Sequence, residues 1–121
     1  MQSAREAIDE YYKAFSTLDL RRILSHYGEP CLMISPQGVL SAGTRAALAD
    51  SLAPMLDGLR AKGYGRSEFA EAEVTPLGET AALVRGIAVR YTAAGSELER
   101  IPIAYLLHRS EGGWKIAVLV A

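Results

Sequence analysis

PLGETAALVRGIAVRYTAAGSELERIPIAYLLHRSEGGWKIAVLV, residues 76–120, is the stretch that decides the fold. It holds three turn clusters, Pro76-Leu77-Gly78, Ala93-Ala94-Gly95 and Glu111-Gly112-Gly113, each lying between runs rich in apolar residues. Turns this short join antiparallel neighbours and leave no room for a crossover helix. We therefore predict an antiparallel meander. Its strands are expected at about Tyr64–Thr75, Thr80–Thr92, Glu97–Arg109 and Trp114–Val120.

Upstream of the meander, the apolar residues recur at three- and four-residue steps, which is typical of amphipathic helices. Ser3 and Glu6 form a capping box at the first helix, and a short apolar run before Pro36-Gln37-Gly38 predicts a hairpin. The predicted elements are a helix over Ser3–Leu18, a helix from Asp19 to Gly28, strands Cys31–Ser35 and Val39–Ser41, and a helix from Thr44 to Gly58 or Gly63. This order indicates a single α+β domain over residues 1–121, with three N-terminal helices packed on a strongly curved antiparallel sheet.

Composition narrows the classes of partner. The chain has 13 Lys+Arg against 14 Asp+Glu, so it lacks the clustered positive field that nucleic acid or an anionic membrane needs. The start of the chain carries charges where a secretory signal would have its apolar core, and Cys31 is its one cysteine. We expect a cytoplasmic protein that binds neither nucleic acid nor membranes.

No residue pattern predicts a metal or a cofactor. His26 and His108 are two isolated histidines, which by themselves do not make a metal site, and the chain contains no GxSxG, P-loop or GxGxxG motif. Cys31 opens an apolar strand without a nearby base, which is typical of a small buried side chain. The catalytic residues, if there are any, cannot be identified from motifs.

The strand faces suggest a buried arginine and a dimer surface. In residues 80–92 the larger apolar side chains occupy odd positions, so we expect the odd face, with Arg85, to meet the helices. There Arg85 would either pair with Glu68 or bind a ligand. The even face has small apolar residues and predicts a homodimer through the outer side of the sheet. That surface would contain Val84, Gly86, Ala88 and Leu106.

The chain resembles the NTF2-like superfamily, the cone fold of ketosteroid isomerases and SnoaL-type cyclases. The resemblance covers the whole chain and is most specific in Tyr11–Thr44. Its residues there are Tyr11, Asp19-Leu20, Tyr27, Pro36-x-Gly38 and Gly43-Thr44. It implies the α+β cone-shaped barrel and a cavity between helices and sheet.

The same resemblance implies roles for two residues. Tyr11 matches the tyrosine that donates to the developing oxyanion in ketosteroid isomerase, while Ser35 stands at the position of that enzyme's aspartate base. A serine cannot abstract a carbon-bound proton without a base of its own.

We therefore expect a homodimer that binds a small apolar or weakly anionic molecule or acts as an accessory protein. We expect it to use no cofactor, and we favour a role without catalysis. The alternative is a cone-fold enzyme of isomerase, cyclase, dehydratase or hydrolase type that acts on a small hydrophobic substrate with other residues. Mostly apolar walls with a few convergent polar groups suit such a cavity. Its predicted lining is Tyr11, Tyr27, Met33, Ser35, Arg85 and Tyr105.

Overall fold

A computed structural model describes residues 2–121. Three helices and six strands follow one another in the order expected. The helices are α1 (Ala4–Ser16), α2 (Leu20–Leu24) and α3 (Arg45–Ala61). The strands are β1 (Tyr27–Ser35), β2 (Gly38–Ala42), β3 (Tyr64–Leu77), β4 (Ala81–Thr92), β5 (Glu97–Ser110) and β6 (Gly113–Val120). The α+β class is confirmed.

Local sequence explains where the helices begin. At α1 the Ser3 hydroxyl accepts from the Glu6 backbone N–H, and the Glu6 carboxylate accepts from the Ser3 N–H, which completes the predicted capping box. The Asp19 carboxylate caps α2, and the Thr44 hydroxyl caps α3 by accepting from the Ala47 N–H at 3.1 Å. The buried side chains of α1 and α3 pack against the sheet, whereas α2 packs mainly against the other two helices.

The sheet is mixed and open rather than a closed antiparallel barrel. Its strand order is β2-β1-β6-β5-β4-β3, and every neighbouring pair is antiparallel except β1 and β6, which run parallel. The meander β3-β4-β5-β6 is as predicted, whereas the parallel contact between β1 and β6 was not. The helices cover the concave face, so the core lies between them and the sheet.

The predicted inward face of β4 is wrong. Its even positions lie inside, with Ala82, Val84 and Ala88 at 3% exposure or less, while Arg85 is exposed. The β4-β5 hairpin begins in the predicted register, with the Thr92 N–H donating to the Ser96 carbonyl. A bulge next to Tyr91 then shifts the pairing by one residue, and a one-residue shift reverses which side chains share a face.

Two expectations that depended on the predicted inward face of β4 are wrong as well. The Arg85 guanidinium lies outside the core, where it pairs with Glu73 at 2.8 Å instead of Glu68. The predicted dimer surface is also wrong for Val84, Gly86 and Ala88, which face the helices. A Cβ built on Gly86 would lie 2.7 Å from the Phe69 ring, so only glycine fits there without rearrangement.

The outer face of the sheet is nonetheless apolar. One row of paired apolar residues crosses four strands: Leu83 of β4, Leu106 of β5, Val118 of β6 and Leu32 of β1. Of these four, only Leu32 is exposed, and the other three are half-buried. Leu106 is thus the one member of the predicted dimer surface that lies on this side. Within residues 2–121, no helix is long and apolar enough to cross a membrane.

Candidate ligand cavity

A cavity of about 520 Å³ lies between the helices and the concave face of the sheet. Its inner end is formed by α1, the start of β1 and the middle of β5, and its mouth by β2 and α3. The lining residues that carry the arguments below are Tyr11, Tyr12, Tyr27, Met33, Ser35, Val39, Leu40, Met55, Ala88, Arg90 and Tyr105. The volume is in the range typical of small-molecule sites.

Four tyrosine hydroxyls meet in this cavity as two hydrogen-bonded pairs. The hydroxyls of Tyr11 and Tyr27 are 2.5 Å apart, and those of Tyr12 and Tyr105 are 2.7 Å apart. Helix α1 contributes one tyrosine to each pair, Tyr11 to the first and Tyr12 to the second. The two rings leave the helix in different directions and contact each other edge to face. All four side chains are buried, so each pair replaces solvation that its phenols have lost.

Each pair contains one more proton than its internal hydrogen bond uses. Two phenols carry two O–H protons, and the bond between them takes one. Across residues 2–121, neither pair has another protein hydrogen-bond partner at its hydroxyls. Each pair can therefore donate one hydrogen bond to an oxygen or nitrogen acceptor in the cavity.

The phenols remain neutral over the physiological range. Burial raises the pKa of Tyr11 to about 12, against which the hydrogen bond from Tyr27 acts in the opposite direction. Burial also raises the pKa values of Tyr12, Tyr27 and Tyr105 well above the usual value. These groups are consequently hydrogen-bond donors at neutral pH and not bases.

Arg90 is the cation of the cavity, in place of the predicted Arg85. It extends from the even face of β4, its side chain is 16% exposed, and its guanidinium lies 5.3 Å from the centre of the Phe15 ring. The Glu99 carboxylate, directly opposite on β5, pairs with it. The pair carries no net charge, so the cavity does not present an unneutralised cation to a ligand.

The structure places five of the six predicted site residues around the cavity. Tyr11, Tyr27 and Tyr105 lie at its inner end, and Met33 and Ser35 lie on β1. The Ser35 hydroxyl is 2.9 Å from the Gln37 side-chain oxygen, to which it donates. Arg85 is outside, so its expected place in the cavity is wrong. Ligand binding by the other five remains a prediction.

Sequence reasoning missed Tyr12 and Arg90. Tyr12 continues the buried spacing Ala4-Ile8-Tyr12-Phe15 of α1, so the helical periodicity already contained a signal for it. Arg90 has even parity on β4 and was assigned outward together with the rest of that face. The side-chain pattern of β4 gives no signal that Arg90 is buried, because the bulge near Tyr91 determines which residues of β4 and β5 share a face.

The mouth of the cavity is apolar. Val39 is 66% exposed, Leu40 41% and Met55 38%, although all three line the cavity. Exposed large apolar side chains around an opening are typical of a binding site. The cavity therefore has its hydrogen-bond donors at the inner end and hydrocarbon at the entrance.

Groups that could act as a base or bind a metal lie elsewhere. His26 packs against the far side of the Tyr11 ring, with 5.8 Å between ring centres, and burial together with Lys115 lowers its pKa. Cys31 is buried in the core, and burial raises the pKa of its thiol. Over residues 2–121, no three His, Cys, Asp or Glu side chains are grouped so that they could hold a metal ion.

Comparison with solved structures supports the fold. A Novosphingobium aromaticivorans NTF2-like protein with a cystatin-like fold matches with a TM-score of 0.77 at 21% identity, covering 96% of this chain and 76% of that one. A Nostoc punctiforme protein of unknown function with a cystatin-like fold matches with a TM-score of 0.77 at 11% identity, covering 96% and 84%.

A candidate dehydratase of the NTF2-like family from Streptomyces avermitilis matches with a TM-score of 0.68 at 15% identity, covering 94% of this chain and 88% of that one. At these identities the likeness shows the fold alone. Among curated proteins, none matches this chain. Residues 2–121 match the family described as NTF2-like protein (DUF6841), and the chain therefore belongs to the NTF2-like proteins, as its sequence pattern had indicated.

Proposed function

We propose that this protein binds a small, mostly apolar molecule in the cavity and that its two tyrosine pairs donate hydrogen bonds to that molecule. The observation that carries the proposal is the proton count: two buried phenol pairs each retain one O–H without a protein acceptor. A buried donor that stays unpaired is costly, so an acceptor in the cavity stabilises the arrangement.

The charge distribution favours a neutral ligand. The phenols stay protonated, and Glu99 already neutralises Arg90. An anion would have to enter without a free counter-charge, which is expensive in a largely apolar cavity. The weakly anionic ligand considered from sequence depended on Arg85, which lies outside. A ketone, aldehyde, ester or amide oxygen suits the donors better than a carboxylate.

Binding, rather than turnover, is the activity that these residues support best. Proton abstraction requires a group that accepts a proton at neutral pH. The phenols do not, and Ser35 donates to Gln37 instead of being activated by a base. The enzyme alternative is favoured by one feature: the resemblance to ketosteroid isomerase implies that Tyr11 corresponds to that enzyme's oxyanion donor. It would require a base supplied by the substrate or by another residue.

We also propose that the protein forms a homodimer through the outer face of the sheet. The apolar row Leu32, Val118, Leu106 and Leu83 supports this, since apolar patches of this kind are usually covered. We also propose a cytoplasmic location, which the low cysteine content, with Cys31 as the one cysteine of the sequence, supports.

A neutral naphthyl ketone dye tests the ligand class, because its emission reports both the polarity around it and hydrogen bonding to its carbonyl. A neutral naphthylamine without a carbonyl is the matched probe. We expect the ketone to bind with a blue-shifted emission, and Ala88→Phe, which fills the cavity from β4, to abolish the binding of both dyes. Binding of the ketone that is unaffected by Ala88→Phe would refute the site.

The proton count gives this experiment a second arm. A single Tyr12→Phe or Tyr105→Phe variant retains one hydroxyl and hence one donor, so it should still bind the ketone. The double variant has none from that pair and should weaken the binding by about fivefold, the effect of one hydrogen bond of about 1 kcal/mol. The naphthylamine should not discriminate between these variants. Equal losses for both dyes would contradict the role of the hydroxyls.

A further inference from the structure

A second, more open pocket of about 380 Å³ lies on the helix side of the molecule. It is lined by Arg21, Leu24, Ser25, Arg45 and Lys115. These residues come from α2, the first turn of α3 and the start of β6, so distant parts of the chain bring three cationic side chains around one depression. None of these residues lines the tyrosine cavity.

Two of the three cations are held in place by main-chain carbonyls. The Lys115 ammonium donates to the Ser25 carbonyl at 2.7 Å, and the Arg45 Nε donates to the Tyr27 carbonyl at 3.1 Å. An ammonium group has three N–H donors and a guanidinium five, so both groups keep donors beyond these anchors. The fold thereby orients them before any ligand arrives.

The pocket carries an excess of positive charge. Glu29 is the carboxylate that pairs with Arg45, at 3.2 Å, and its second oxygen accepts from the Arg45 backbone N–H at the start of α3. Lys115 and Arg21 have no carboxylate partner within residues 2–121. Burial, and after it the positive charge of Arg45, lowers the pKa of Lys115.

We infer that this pocket, formed by Arg21, Arg45 and Lys115, is a binding site for a phosphoryl group. Two unneutralised cations match the charge of a phosphate dianion, and guanidinium and ammonium donors suit its oxygens. The pocket volume of about 380 Å³ is more than ten times the roughly 30 Å³ that one water molecule takes. The pocket therefore has room for a phosphoryl group and for part of an organic substituent. Leu24 supplies an apolar wall for the organic part of a phosphomonoester.

The test is a titration of the 121-residue chain at low ionic strength, followed by amide chemical shifts and by calorimetry. The probes are inorganic phosphate, a phosphomonoester (AMP) and the matched nucleoside (adenosine). We expect saturable binding of AMP and phosphate with shifts at residues 21, 24, 45 and 115, and no binding of adenosine. A tighter Kd for AMP would assign the site to an ester, and equal values would assign it to the phosphoryl group alone.

Arg21 and Arg22 provide a matched pair of variants. Both are exposed residues of the last turn of α2, but only Arg21 lines the pocket. Arg21→Gln removes no structural contact and should weaken phosphate binding about fivefold, while Arg22→Gln should change it less than twofold. Lys115→Met should weaken it by about tenfold.

Three outcomes would overturn the inference: no saturable binding of either phosphate probe, shifts confined to other residues, or equal losses in the Arg21 and Arg22 variants. The last would indicate a general charge effect. If Lys115→Met fails to fold because the anchor at Ser25 is lost, the Arg21 and Arg22 comparison still decides. Loss of dye binding in the tyrosine cavity would not affect this site, so the two proposals can fail separately.

Discussion

Removal of one hydroxyl from the Tyr11–Tyr27 pair should destabilise the protein, and removal of both should cost less than the sum. In Tyr27→Phe the hydroxyl of Tyr11, a residue that is 4% exposed, loses its partner at 2.5 Å. An unsatisfied buried polar group costs about 1–3 kcal/mol, whereas a satisfied hydrogen bond contributes about 0.5–1.5 kcal/mol net. We expect about 1.5 kcal/mol from each single variant and about 2 kcal/mol from the double, hence a coupling of about 1 kcal/mol.

Urea unfolding followed by tryptophan fluorescence and circular dichroism measures these free energies. With an m-value of about 1–3 kcal/mol per molar, each single variant should lower the midpoint by about 0.5–1.5 M urea. Tyr91→Phe is the control, because the half-buried Tyr91 makes no hydroxyl hydrogen bond within residues 2–121 and its ring keeps its contact with Arg66. It should change the free energy of unfolding by less than about 0.5 kcal/mol. Strictly additive single variants would refute the paired arrangement.

Three further predictions follow from the core and the surface. Gly86→Ala should destabilise the protein by about 1–3 kcal/mol in the same urea assay, because its Cβ would meet Phe69, whereas Gly58→Ala, in open space on α3, should be neutral or stabilising. Leu106→Arg should give monomers by light scattering if the outer face is the dimer interface, and a monomeric wild type would contradict that interface. Above pH 10 the stability that neutral Tyr11 contributes should fall as the pH rises through its folded pKa of about 12, so phenol absorbance should titrate late and together with unfolding.

Much of the fold was accessible from sequence because its signals are local. The Ser3–Glu6 capping box, the turn at Gly95 and the spacing of α1 each depend on residues a few positions apart, and all three are found as expected. The parallel contact between β1 and β6 is different. It joins residues far apart in the chain, such as Met33 and Leu119, and no local pattern specifies it.

The site could be predicted only in part, because the inward face of β4 was inferred from side-chain size. Tyr11 and Tyr105 were placed correctly because one lies on a helical stripe and the other belongs to a strand whose inward parity the pattern shows. On β4 the larger side chains, such as Leu83, lie outward, and small residues lie inward to leave room for aromatic rings. Side-chain size alone therefore predicts the wrong inward face of β4, and the arginine that lines the cavity is Arg90 and not Arg85.

The presence of Arg90 in the cavity, in place of Arg85, also changes which ligands the cavity can bind. A guanidinium at position 85 would have stood among apolar side chains and required an anion, whereas Arg90 lies beside Glu99 on the adjacent strand and is already neutralised. The polar groups that remain available inside the cavity are the two phenol pairs. Burial raises the pKa values of these phenols, and one O–H of each pair lacks a protein acceptor. Donors that stay protonated next to hydrocarbon walls select for a neutral acceptor on an apolar molecule. Lys115 and Arg21, which have no carboxylate partner within residues 2–121, lie instead around the second, more open pocket.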